Sequence, residues 1–115
     1  MTFLSTASEK MYLIMQRNHK QYEKNILVLR YNIVKDQVDA IEDYYRDLNG
    51  SGSGTQYDIE DNDEYQMLQR YSEQLDAERE SLEQSVNTLD QQISSLQSLM
   101  KENIKGSCGL TLNGG

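Results

Sequence analysis

Residues 58–64 read Asp-Ile-Glu-Asp-Asn-Asp-Glu, a run dense enough in carboxylates to hold a cation. Ca²⁺ is a hard ion that gathers roughly six to eight oxygen ligands, so clustered acids are its natural donors. Asp36, Asp39, Glu42, Asp43 and Asp47 lie just before a Gly-Ser break and add to the same acidic region. The run lacks the glycine at the sixth loop position and the glutamate at the twelfth that an EF-hand loop requires. A solvated acidic tip is therefore the expectation, with Ca²⁺ binding or docking of a basic partner as the alternatives.

The remaining reactive residue types are sparse. His19 is the single histidine and Cys108 the single cysteine. One histidine cannot make a two-histidine zinc site, and no base and nucleophile are spaced to act together. Gly50, Gly52 and Gly54 imitate a phosphate loop, but no Lys-Ser/Thr follows them and no strand precedes them. We assign no catalytic residue, no metal ligand and no cofactor, and expect a protein that is not an enzyme. Cys108 has no intramolecular partner; an intermolecular bridge and an idle thiol both remain open.

Leu68, Leu75, Leu82, Leu89 and Leu96 recur every seven residues, and Val86, Ile93 and Met100 each follow a leucine of that row by four. This is the seam of a helix that lays one face along another helix. The spacing predicts a second long helix over residues 62–105. Asp61, Asn62 and Asp63 are N-cap candidates, Lys101 and Lys105 sit in its last turn, and Gly106 terminates it. Residues 106–115 form a Gly-rich tail. Upstream, residues 1–48 hold a first long helix with a short lead, its capping box formed by Thr6 and Glu9. Its apolar stripe runs Ala7, Met11, Met15, Tyr22, Ile26, Leu29, Ile33, then Val34, Val38, Ile41, Tyr45 and Leu48, with a register interruption at Ile33-Val34. Residues 49–61 are a Gly/Ser-rich turn and the acidic stretch; the Gly-Ser alternation has the composition of a flexible linker, either native or introduced.

Two helices of nearly equal length joined by a turn predict an all-α, antiparallel two-helix hairpin with coiled-coil character. Residues 10–35 carry Lys10, Arg17, Lys20, Lys24, Arg30 and Lys35 against Glu23 alone, and folding back sets them beside an acidic second helix. Ser72 and Arg79 interrupt the leucine seam, either as solvent-edge residues or as contacts to a second chain. The first helix has more apolar surface than one seam needs. Met11, Leu13, Ile14, Leu27 and Val28, with Tyr44 and Tyr45 near the turn, are the candidate contacts to a partner.

Only 37% of residues are apolar, below the ~45–50% of globular chains, which suits a narrow seam better than a layered core. The net charge of −8 disfavours nucleic acid and anionic membrane surfaces as partners. No run of apolar residues is long enough to span a bilayer. The N-terminus has no signal-peptide pattern, so the expected location is cytoplasmic or outside the cell by a route that cleaves no signal.

The long paired helices, acidity and Gln/Ser/Asn-rich seams, with the segment Leu99-Met100-Lys101-Glu102-Asn103-Ile104-Lys105-Gly106, resemble secreted bacterial helical-hairpin proteins. These include the filament and needle subunits of type III secretion and the small hairpins of type VII secretion. The chain departs from the latter in lacking Trp-x-Gly and from the former in lacking a Pro-bounded turn. The resemblance covers architecture and carries over no functional residue. It implies a structural, self-assembling subunit, a homo-oligomer forming a filament or surface assembly. The alternative is a cytosolic adaptor or secretion chaperone that offers the first helix to another helical protein.

Overall fold

The computed structural model describes residues 3–52 and 54–113, and the side chains of residues 4–52 and 54–105. Two helices, α1 (Phe3–Gly50) and α2 (Asp63–Asn113), pack as an antiparallel helical hairpin; a short 3-10 helix, Ile59–Asp61, leads into α2. No strand occurs among the described residues. The packing divides into two units. The loop unit is Lys24–Ser81, and the terminal unit combines Met1–Glu23 with Leu82–Gly115.

In the loop unit, α1 presents Lys24, Leu27, Tyr31, Val34, Val38, Ile41, Tyr45 and Leu48 inward, all buried or half-buried. Their steps alternate three and four without interruption, so α1 keeps one heptad register here and the interruption expected at Ile33-Val34 is absent. Val34 faces the core while Ile33 faces out, 5% and 60% exposed. Tyr65, Leu68 and Leu75 come from α2, with Val38 and Leu75 at the centre. Leu27, expected on a free surface, is a core residue because it holds a seam position. Ser72 and Arg79 are half-buried and satisfied within α2. The Ser72 hydroxyl donates to the Gln69 carbonyl at 2.8 Å, and Arg79 Nη2 meets Asp76 Oδ1 at 2.9 Å.

The loop is fastened by local chemistry. Asn49 clasps Tyr57: its Nδ2 donates to the Tyr57 carbonyl at 3.0 Å, and its Oδ1 accepts the Tyr57 N–H at 2.7 Å. Between them the chain reverses through Gly52 and Gly54, whose φ values of 76° and 77° lie in the left-handed region that glycine enters without a Cβ penalty. Asp58 caps the 3-10 helix through the Glu60 N–H at 3.0 Å. Asn62 is the N-cap of α2, its Oδ1 accepting from the Tyr65 N–H at 2.8 Å. Its Nδ2 donates to the Tyr45 hydroxyl at 3.1 Å, tying the cap to α1. Asn62→Ala removes both bonds and should cost about 1–2 kcal/mol of stability in urea unfolding, a loss that Asn62→Asp should largely avoid at the cap.

In the terminal unit, α2 contributes Leu82, Val86, Leu89, Ile93, Leu96 and Met100, buried or half-buried. Facing them on α1 are Thr6, Lys10, Leu13, Arg17 and Lys20, again in strict alternation of three and four. Lysine and arginine hold such places by laying their aliphatic stems on the apolar seam while the charged head reaches water. Arg17 Nε pairs with Asp90 Oδ1 at 3.0 Å across the two helices; at partial exposure such a pair contributes about 0.2–1 kcal/mol.

Two terminal assignments change. The helix α1 begins at Phe3, so Thr6 is a fully buried seam residue inside it and not an N-cap. The helix α2 continues through Gly106 to Asn113, eight residues past the expected end at Lys105. A helix-stopping glycine adopts positive φ, and among the described residues only Gly52 and Gly54 do so. Glycine within a helix costs ~1 kcal/mol relative to alanine but leaves the backbone bonds intact. Lys101 and Lys105 therefore lie before the last turn. The side chains of residues 106–115, Cys108 among them, fall outside the described residues.

Candidate functional site

A heptad seam fixes what the rest of a helix must show to solvent. In the terminal unit the inward positions of α1 are spent largely on Lys10, Arg17 and Lys20. The apolar residues of the same segment consequently point away from α2. Leu4, Met11, Tyr12, Met15 and Tyr22 are between 59% and 77% exposed. The Tyr12 hydroxyl accepts from Gln16 Nε2 at 2.6 Å, which holds that ring along the helix surface. Among these side chains lie Ser8 and Asn18, both exposed and uncharged. The five charged residues of the segment, Glu9, Lys10, Arg17, Lys20 and Glu23, all fall outside the row Leu4, Ser8, Met11, Met15, Asn18 and Tyr22.

This arrangement inverts the usual amphipathic helix, which turns its apolar stripe to the core and its charges to water. Burying one large apolar side chain is worth about 1.5–3 kcal/mol. A lone hairpin forgoes that gain at several adjacent positions. The row can exclude water against another apolar helix face.

The residues named from sequence as partner contacts are scattered by the structure. Met11 lies in the exposed row. Leu13 is half-buried at the seam, Ile14 and Val28 are half-buried beside it, and Leu27 belongs to the loop-unit core. Tyr45 is half-buried and bound to Asn62; Tyr44 is exposed and meets the Tyr45 ring edge to face at 5.8 Å. Met15 and Tyr22, expected in the apolar stripe of the first helix, belong to the outer row, and Leu4 joins them. The missed signal was the cation spacing. Carrying the register of Val38 and Val34 back without a break lands on Lys24, Lys20, Arg17 and Lys10.

The loop unit has smaller exposed apolar features of its own: Leu29 and Ile33 on α1, and Met67 with Tyr71 one turn apart on α2. A groove of about 430 Å³ beside the loop is lined by Tyr45, Tyr57, Tyr65, Glu42 and Arg46. Within it the Tyr65 hydroxyl donates to Glu42 Oε1 at 3.3 Å and accepts from Gln69 Nε2 at 2.7 Å, so its polar groups serve the fold.

The acidic tip does not converge on a point. Asp58 is used as a cap, Glu42 is engaged by Tyr65, and Asp43 pairs with Arg46 at 3.0 Å. Among the described residues no three acidic, histidine or cysteine side chains come together as a metal-binding group. His19 is exposed and bonded to Glu23 one turn on, at 2.6 Å. Among the described residues no helix is long and apolar enough to cross a membrane. Comparison with family models, with curated proteins and with solved structures finds no match to this chain.

Proposed function

We propose that this chain is a non-enzymatic structural subunit that associates with further copies of itself through the outer face of α1. One observation carries the reading: in the terminal unit α1 turns Lys10, Arg17 and Lys20 to the seam and Leu4, Met11, Tyr12, Met15 and Tyr22 to the outside. A sequence intended to stand alone would gain stability from the opposite choice. The resemblance to secreted helical-hairpin subunits makes a filament or surface assembly the setting we propose for this association.

A second reading draws on Met67 and Tyr71, the exposed apolar pair on α2 of the loop unit. Methionine adapts its shape to different partners, as suits an adaptor or chaperone for another helical protein. Sedimentation equilibrium separates the two. Self-association predicts a mass that rises above the monomer value with protein concentration, from micromolar to millimolar. A mass fixed at the monomer across that range would refute it and favour the adaptor.

A further inference from the structure

We propose that Asn49 is a site of spontaneous covalent modification, converting to aspartate and isoaspartate through a cyclic imide formed with Gly50, and that the clasp on Tyr57 holds the reaction back. Asparagine is a chemically labile residue, and here a glycine, with no side chain to shield its nitrogen, follows it. The Gly50 backbone nitrogen, its proton taken by hydroxide, attacks Asn49 Cγ. The new N–Cγ bond closes the imide ring, the Cγ–Nδ2 bond breaks, and the side-chain nitrogen leaves as ammonia with a proton from water. Water then adds to one of the two ring carbonyls and reopens the ring. Addition at Cγ yields aspartate. Addition at the main-chain carbonyl yields isoaspartate, whose backbone runs through the side chain and is longer by one methylene. One water is consumed, one ammonia is released, and nothing is oxidised or reduced.

The local structure opposes the attack in two ways. Gly50 is the last residue of α1, and an α-helix commits each N–H to the carbonyl four residues back. Asn49 is half-buried, and Tyr57 engages both of its side-chain polar atoms, Nδ2 at 3.0 Å and Oδ1 at 2.7 Å. While both bonds stand, the Cγ between them is not free to swing toward the Gly50 nitrogen. Little else restrains the segment: Gly50 and Gly52 are exposed, and a Cβ added at either would meet nothing within 4 Å. The modified residue does not rebuild the clasp. A carboxylate oxygen in place of Nδ2 has no hydrogen to donate and faces the Tyr57 carbonyl acceptor to acceptor. The new charge also joins the neighbouring acids Asp47, Asp58 and Glu60. The conversion runs one way, so the hairpin carries a release at its loop that time sets off.

The full chain, incubated at mildly alkaline pH and digested with trypsin, yields the peptide 47–70, which holds both Asn49 and Asn62. Fragmentation in the mass spectrometer reads the two separately. In the folded chain Asn49 should convert well ahead of Asn62, which precedes Asp63. Opening two hydrogen bonds together is disfavoured roughly ten- to hundredfold, so conversion at Asn49 should be faster by that factor in urea. Tyr57→Pro removes the N–H that Asn49 Oδ1 accepts and alters neither reacting residue; with helical signal retained, it should speed conversion several-fold. Gly50→Ala, for which there is room, should nearly stop it. No lead of Asn49 over Asn62 in the folded chain would overturn the modification site. Equal rates in the folded chain, in urea and in Tyr57→Pro would overturn the clasp as its gate.

Discussion

Val38→Asp should abolish the folded hairpin. Val38 is 1% exposed at the centre of the loop unit, on a seam position of α1. The substitution forfeits about 1.5–3 kcal/mol of apolar burial. It also places a carboxylate where water does not reach, and an uncompensated buried charge costs several kcal/mol more. Together these reach the lower part of the margin of a small domain, about 5–15 kcal/mol, where a narrow-seamed hairpin falls. Far-UV circular dichroism should show most helical signal lost at room temperature, because two long helices without a shared seam are only marginally stable. Ile33→Asp, five residues away and 60% exposed, should leave the helical signal and the melting midpoint nearly unchanged. The two variants together test the seam register. A Val38→Asp protein that melts like the parent, or an Ile33→Asp protein that does not fold, would show that α1 packs through another face.

The second large effect is on association. Met11→Glu combined with Met15→Glu should leave a folded monomer at every accessible concentration. The side chains are 60% and 65% exposed one turn apart in the outer row, so each copy would bring two carboxylates to the proposed contact. Like charges juxtaposed at an interface cost several kcal/mol, enough to weaken a micromolar dimer more than a hundredfold. The fold should be unaffected, since neither position faces α2 and glutamate is a good helix former. Sedimentation equilibrium and circular dichroism on the same samples read the two properties separately. A double variant that still associates like the parent would exclude the outer row as the contact.

The leucine row made α2 legible from sequence. Leu68, Leu75, Leu82, Leu89 and Leu96 share one face, and the apolar residues at Val86, Ile93 and Met100 complete it, so pattern and packing agree. In α1 the agreement holds only from Val34 onward. Before that, Met11, Met15, Tyr22, Leu29 and Ile33 form a coherent helical stripe of their own, and apolar spacing alone cannot say which of two stripes meets α2. The chain's second stripe was hidden by cations: Lys10, Arg17, Lys20 and Lys24 read as surface residues, yet their stems are long enough to serve as seam. The loop clasp of Asn49 and Tyr57 was equally invisible, because a side chain that mimics a turn leaves no periodic trace. The overrun of α2 past Gly106 shows that a glycine ends a helix only where the backbone turns left-handed.

The clasp also sets the order in which the hairpin closes. Glu42 and Tyr65, in contact within the loop unit, are separated by 23 residues, whereas Arg17 and Asp90, in contact within the terminal unit, are separated by 73. Loop-closure entropy grows with the logarithm of that separation, so the long-range contact, if formed first, would cost about 1 kcal/mol more. Folding should therefore nucleate beside the glycines and zip toward the termini. The Leu4–Tyr22 row, at the far end of that zipper, is synthesised first and anchored last. An unfinished chain thus shows the exposed apolar face of α1 before it possesses a complete seam.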